Sequence, residues 1–253
     1  MNSSANEIVS WLRQRLTTAA ARGFVVGLSG GLDSAVVIRL CQLAAPGQVT
    51  GVIMPCGSDP RDEADARLLV DHFQVPALQI DLEGAYEAVV DQARTALGLL
   101  PQEMAPPPGP ESSMRVPLAN IRPRLRMTTL YFVANSLNYL VAGTGNKSEL
   151  TIGYFTKHGD GAVDLLPIGH LLKGDVKRLA KALDVPAAII EKAPSAGLWA
   201  GQTDEEEMGF TYADLERYLA DGPEGVSPAL ALRLERMIRL TEHKRLLPPT
   251  PES

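Results

Sequence analysis

The apolar run Phe24-Val25-Val26 leads directly into Gly27-Leu28-Ser29-Gly30-Gly31-Leu32-Asp33-Ser34. A strand, a glycine-rich turn and a helix starting near Ser34 constrain the fold more than any other stretch. Glycines let backbone N–H groups crowd around an anion with no Cβ in the way. The following helix aims its positive end at the same point. Ser29 and Ser34 add hydroxyl donors, and Asp33 can hold Mg²⁺ against phosphate oxygens. The loop has neither the lysine nor the length of G-x-x-x-x-G-K-[ST], so it is not a Walker A loop. The alternative is a turn that only packs a helix on a strand.

The rest of the pattern extends this unit into a parallel sheet. Residues 5–21 carry Ile8, Val9, Leu12, Leu16 and Ala19 at helical spacing. Strands are expected at Phe24–Leu28, Val49–Met54 and Ala77–Asp81, with helices at 34–44, 61–73 and 83–97 between them. Alternation of this kind means βαβ units, with ligands beyond the carboxyl ends of the strands. The proline-rich segment 101–114 can be neither helix nor central strand and reads as a loop or flap. A helix is expected over 117–137, a short strand over 138–143 and a helix over Leu171–Leu183. Thr203-Asp204-Glu205-Glu206 opens a short helix through a capping box. Ser227-Pro228 starts a last helix that is expected to run to about Arg245.

With 253 residues, 45% of them hydrophobic, the chain can bury the core of one large α/β domain. No apolar stretch has the length of a membrane span, and the polar start is not a signal peptide, so a cytoplasmic location is expected. Cys41 and Cys56 form no C-x-x-C pair and read as buried or half-buried free thiols. The net charge of −6 argues against nucleic acid as a partner. Basic residues nevertheless gather at Arg115, Arg122, Arg124 and Arg126, followed by Lys147, Lys157, His158 and Lys173. That suits a small anionic ligand, although a solvated helix face would look the same.

Three further segments carry chemistry. Asn120-Ile121-Arg122-Pro123-Arg124-Leu125-Arg126-Met127 places Arg122 and Arg126 on one helix face and Arg124 on another, with Pro123 in the first turn. Arginine forks suit carboxylate and phosphate. Gly143-Thr144-Gly145-Asn146-Lys147-Ser148-Glu149 follows a strand, and Glu149 can join Asp33 at a metal. Gly153-Tyr154-Phe155-Thr156-Lys157-His158-Gly159-Asp160-Gly161 mixes anion-binding and turn residues, with Asp164 close behind.

The S-G-G-L-D-S loop resembles that of ATP pyrophosphatases, which cleave ATP between the α and β phosphates. In combination with N-I-R-P-R-L-R-M, G-T-G-N-K-S-E, G-Y-F-T-K-H-G-D-G, Pro167 with Lys173, P-S-A-G-L-W-A-G-Q-T-D-E-E over 194–206, and His243-Lys244-Arg245, it resembles ammonia-dependent NAD synthetase. The matches keep family order across residues 24–245.

The resemblance implies a single-domain α/β fold, a three-layer parallel sheet flanked by helices, like the adenine nucleotide α-hydrolases. An N-terminal helix (1–22), the ATP-pyrophosphatase core (23–200) and C-terminal helices (201–253) would make up the one domain, with no glutaminase domain. The implied ligase activity amidates deamido-NAD with ammonia and ATP, through an adenylated intermediate, giving NAD, AMP and pyrophosphate. Mg²⁺ is the implied cofactor and a homodimer the implied assembly. By similarity, Gly27, Leu28, Ser29, Gly30, Gly31, Leu32, Asp33, Ser34, Thr144, Lys173 and Ser195 hold ATP. Asp33 and Glu149 bind the metal, and Asp33 and Lys173 are catalytic. Arg124, Lys157, Asp164, His243 and Lys244 match positions that bind deamido-NAD.

Pro123 stands where the family has alanine, His158 where tyrosine is common, and Leu198-Trp199 where an acidic residue is common. The loops 101–114 and 201–207 are expected to order over substrates. Competing readings are a tRNA-modifying sulfur transferase, a GMP-synthetase-like amidating module and a nucleotide-binding regulator without catalysis. The first lacks placed cysteines and a basic surface. The last is opposed by the presence of Asp33, Glu149 and Lys173.

Overall fold

The computed structural model describes residues 3–101, 103–104, 114–195 and 203–251. Most of the proline-rich segment, and residues 196–202 of the tryptophan-containing loop, lie outside the described residues. The elements run α1 (Ser3–Ala19), β1 (Gly23–Gly27), α2 (Leu32–Ala44), β2 (Val49–Ile53), α3 (Pro60–Phe73), β3 (Ala77–Gln79) and α4 (Glu83–Leu97). After the gap come α5 (Arg115–Ala119), α6 (Ile121–Leu137), β4 (Tyr139–Val141), α7 (Lys147–Ile152), α8 (Lys173–Ala182) and α9 (Ala187–Glu191). The chain ends with α10 (Asp204–Met208), α11 (Tyr212–Asp221) and α12 (Pro228–Leu240).

All four strands are parallel, in the order β3-β2-β1-β4. Phe24 pairs with Val49 on one side and with Leu140 on the other. Phe24, Val25 and Val26 are fully buried, because helices cover both faces of a parallel sheet. On one face Phe24, Val26 and Leu28 pack with α1, α2, α8 and α9 through Leu12, Ile38, Val176 and Ile189. On the other, Val25, Val52 and Val141 meet Val133 and Ala134 of α6. The expected three layers are therefore present. A separate core of Ile152, Met208, Tyr212, Leu215 and Leu234 joins α7, α10, α11 and α12.

β2, β3 and α8 are one to three residues shorter than expected and α2 starts two residues earlier, while three other boundaries carry a clear physical reason. The helix expected over 117–137 is broken at Asn120 into α5 and α6, with Pro123 in the first turn of α6. Proline cannot donate to the carbonyl four residues back, so the two helices cannot merge smoothly. Asn138 caps α6 at φ 55°, so the strand shrinks to Tyr139–Val141. The last helix ends at Leu240, and residues 242–244 turn as a short 3-10 helix instead.

β1, β2 and β3 grow in one direction and β4 returns to the other side of β1. The sheet therefore has its topological switch point between β1 and β4, where parallel α/β sheets open a crevice.

Candidate active site

The loop after β1 and the loop after β4 meet at that crevice. Gly30 sits at φ +74°, and a Cβ there would lie 2.4 Å from the backbone oxygen of Asp62 in α3. Only glycine allows α3 to close on the loop this tightly. Gly31 caps α2 without a side-chain bond, so the first-turn N–H groups of α2 face the crevice. Ser29 Oγ receives the Gly31 N–H at 3.3 Å, and Ser34 Oγ donates to the Gly31 carbonyl at 2.9 Å. Both hydroxyls are thus held beside the open backbone donors.

Asp33 is in the first turn of α2, and its two carboxylate oxygens are engaged. Asn146 Nδ2 donates to Oδ1 at 3.2 Å, and the Lys173 ammonium donates to Oδ2. Asn146, itself fully buried, caps α7 by a reciprocal pair: its Oδ1 accepts the Glu149 N–H at 3.1 Å. One asparagine therefore positions both acidic residues. Lys173 begins α8, and its Nζ lies 3.2 Å from Glu149 Oε1. Its side chain is only 10% exposed.

Tyr212 and Asp204 complete the cluster. The Tyr212 hydroxyl donates to Asp204 Oδ2 at 2.8 Å, and Glu149 Oε1 is 3.3 Å from the same hydroxyl. Asp204 is buried, and its Oδ1 has no partner among the described residues. Burial pushes the Glu149 carboxyl up to about 7, with Asp33 and Asp204 adding to it and Lys173 opposing. Burial also raises Asp204, against the hydrogen bond from Tyr212 and the charge of Lys173. For Lys173, burial works against the charge, but Asp33 and Glu149 outweigh it and hold the ammonium well above the usual lysine range. Two carboxyl groups on one ammonium, with a third, Asp204, held beside them by Tyr212, make a buried, anion-rich center.

These groups line a cleft of about 770 Å³. Gly27, Leu28, Ser29, Gly31, Leu32, Asp33, Ser34, Thr144, Glu149, Lys173, Ser195 and Lys244 all face it. A cleft of this size, with a glycine-rich turn and a helix N-terminus at one end and convergent polar groups, has room for a nucleotide-sized ligand.

A family model described as NAD synthase matches residues 4–248. The chain belongs to the NAD synthase family. An NH(3)-dependent NAD(+) synthetase from Carboxydothermus hydrogenoformans is 51% identical over 97% of this chain and 95% of its own length. Among solved structures, an NMN synthetase from Francisella tularensis superposes with a TM-score of 0.87 at 38% identity, covering 99% of this chain and 98% of that one. An NH3-dependent NAD synthetase from Campylobacter jejuni, in complex with the nitrate ion, has a TM-score of 0.77 at 27% identity, with complete coverage of both chains.

The structure brings the metal-matched residues of this NAD synthase family member, and the ATP-matched ones except Gly30, which packs against α3, into the lining of one cleft, but of the dinucleotide-matched ones only Lys244. Arg124 is exposed and donates to the Lys157 carbonyl at 3.3 and 3.4 Å. Lys157 Nζ lies 3.4 Å from His243 Nδ1, so these three form a rim beside the cleft. Lys244 reaches in from the C-terminal turn and donates to the Gly153 and Phe155 carbonyls at 2.7 Å each. Asp164 accepts from the Val141 N–H at 2.8 Å and the Tyr131 hydroxyl at 3.1 Å, so it anchors the end of β4. Cys41 is buried, and burial pushes its thiol far up. Cys56 is buried too, as expected for structural thiols. No helix among the described residues is long and apolar enough to cross a membrane.

Sequence reasoning missed Asn146, Asp204 and Tyr212 as site residues. The signal for Asn146 was its place three residues before Glu149, a capping box. Asp204 sits inside an acidic helix start that reads as ordinary capping. Tyr212 arrives only through the packing of α11 on α7.

Proposed function

We propose that this chain is an ammonia-dependent ligase that amidates the nicotinate carboxylate of deamido-NAD to give NAD. The observation that carries the reading is the Asp33–Lys173–Glu149 cluster beside the phosphate loop, in a chain that is 51% identical to an NH(3)-dependent NAD(+) synthetase. In the first step a carboxylate oxygen of the nicotinate attacks the α phosphorus of ATP, and the bond to the pyrophosphate oxygen breaks. The open N–H groups and hydroxyls of residues 29–34 take up the charge that grows on the departing pyrophosphate. Lys173, a point charge, is assigned to the phosphate oxygens by the family match. In the second step the nitrogen of ammonia attacks the activated carbonyl, a proton is lost and AMP leaves. No residue needs to become a covalent nucleophile, so catalysis is orientation and charge stabilization.

Mg²⁺ fits the donors present. Asp33 and Glu149 supply hard carboxylate oxygens on one ammonium, and the neighboring buried Asp204 Oδ1 has no partner among the described residues. Mg²⁺ characteristically binds through one or two carboxylates plus substrate phosphates. When bound, it would screen the repulsion between the two anionic substrates. Arg124, Lys157, Asp164, His243 and Lys244 are assigned to the dinucleotide by the family match. A cytoplasmic homodimer completes the reading. The exposed apolar side chains Val116 and Phe132, on α5 and α6, are consistent with a covered face.

The likeness to the Francisella NMN synthetase raises a second acceptor, nicotinic acid mononucleotide, which carries the same carboxylate. The test is pyrophosphate exchange into ATP without ammonia. Exchange that requires deamido-NAD is the expected result. Exchange with the mononucleotide alone moves the substrate, and no exchange with either acceptor removes the adenylation step.

A further inference from the structure

The sequence places Arg126 one helical turn after Arg122, and the dinucleotide and ATP assignments use neither. Arg126 lies on the cleft wall formed after β2. Its Nε donates to the Met54 carbonyl at 3.2 Å, and its Nη2 donates to Ser58 Oγ at 2.9 Å. Among the described residues it has no carboxylate within ion-pair distance, and its Nη1 has no hydrogen-bond partner. The acidic groups that act on it from a distance are committed elsewhere: Asp160 Oδ1 accepts the Thr156 N–H at 2.9 Å, and Asp62 Oδ1 pairs with Lys192 at 2.8 Å. Loss of hydration, with Arg122 adding repulsion, makes its charge costly where it stands.

Ser58 has a matching arrangement. Its Oγ accepts from Arg126 and, at 3.4 Å, from the Cys56 N–H. With both bonds arriving at the oxygen, the hydroxyl proton is left to donate. Ser58 lines the same cleft. A guanidinium taken out of water without a counter-charge is disfavored unless a ligand supplies one.

We propose that Arg126 and Ser58 form a second anion subsite, apart from the phosphate loop, which binds a phosphate or carboxylate oxygen of one substrate. Nη1 and the Ser58 hydroxyl are its two donors. The group it holds belongs either to ATP or to the dinucleotide, which are the two anionic substrates of the proposed amidation, so the assignment rests on that reading.

Calorimetric titration of the ligand-free protein with ATP, and separately with deamido-NAD, tests it. The variants are Arg126→Gln, Arg126→Lys and Ser58→Ala, each with its melting temperature. R126Q is expected to weaken one of the two ligands by about ten- to a hundredfold, the range for losing a charge-assisted bond. S58A should weaken the same ligand by less, and R126K should recover part of the loss. The melting temperature of ligand-free R126Q should not fall, because a costly charge is removed along with its two bonds. Loss confined to ATP assigns the subsite to the triphosphate, and loss confined to deamido-NAD assigns it to the dinucleotide. Wild-type affinity of R126Q for both ligands overturns the subsite and leaves the amidation reading standing. A lowered melting temperature with both ligands weakened equally overturns it in favor of a structural bridge. A wild-type protein that binds neither nucleotide contradicts the amidation reading and removes the anions the subsite was assigned to.

Discussion

Asp33 and Glu149 share one ammonium, and each has a different task in keeping that arrangement together. Asp33 takes Lys173 on one oxygen and Asn146 on the other, so its replacement alters charge without opening a cavity. Asp33→Asn is expected to abolish NAD formation while circular dichroism and the melting transition stay close to wild type. Wild-type rates in that variant would remove Asp33 from the chemistry. Glu149 gives a pH signature. Its carboxyl is raised from an ordinary 4.5 to about 7, chiefly by burial, so the folded protein binds its proton more tightly than the unfolded chain does. Stability contributed at this site is present below pH 4.5 and is lost as pH rises toward about 7. Glu149→Gln removes the titration. Its melting temperature relative to wild type should therefore climb across that window and then level off. A flat difference would show that Glu149 does not titrate there.

At the scale of elements, α3 is locked on the glycine-rich turn at Gly30, and α1 is locked under the sheet. Gly30→Ala places a methyl 2.4 Å from a backbone oxygen at a positive φ. It is expected to cost about 1–3 kcal/mol and to weaken ATP binding more than deamido-NAD binding. Urea unfolding and calorimetry read the two effects. Leu12 of α1 is fully buried against the core. Leu12→Ala should cost about 2–5 kcal/mol in urea unfolding and leave substrate KM values unchanged. The elements most legible in the sequence were those whose burial imposes a simple period. β1 reads as an apolar run because both of its faces are covered, and α2 follows from its glycine start. The break at Asn120 was not legible, because apolar residues continue on both sides of it, and the early end at Leu240 was not, because Thr241-Glu242-His243-Lys244-Arg245 holds no glycine or proline to stop a helix. The strand–turn–helix unit around residues 27–34 could be read because one contiguous segment builds it. Asp204 and Tyr212 reach the cluster only when α10 and α11 fold over α7, a placement set by the packing of Met208 and Leu215 rather than by any local motif.

Across the whole molecule, the switch point between β1 and β4 brings together residues more than a hundred positions apart, such as Asp33 with Asn146 and Lys173. A cleft assembled this way depends on the integrity of the whole sheet, so substrate binding should raise the melting temperature of the whole domain in one transition. A homodimer predicts a solution mass of twice 27.2 kDa by light scattering, and a monomer mass at micromolar concentration would remove it. The amidation itself is tested most directly by following NAD, AMP and pyrophosphate with deamido-NAD, ATP and Mg²⁺ in the presence of either ammonium or glutamine. The account predicts the three products in equal amounts with ammonium and none with glutamine. Absence of NAD with ammonium, while the protein still binds ATP, would contradict it.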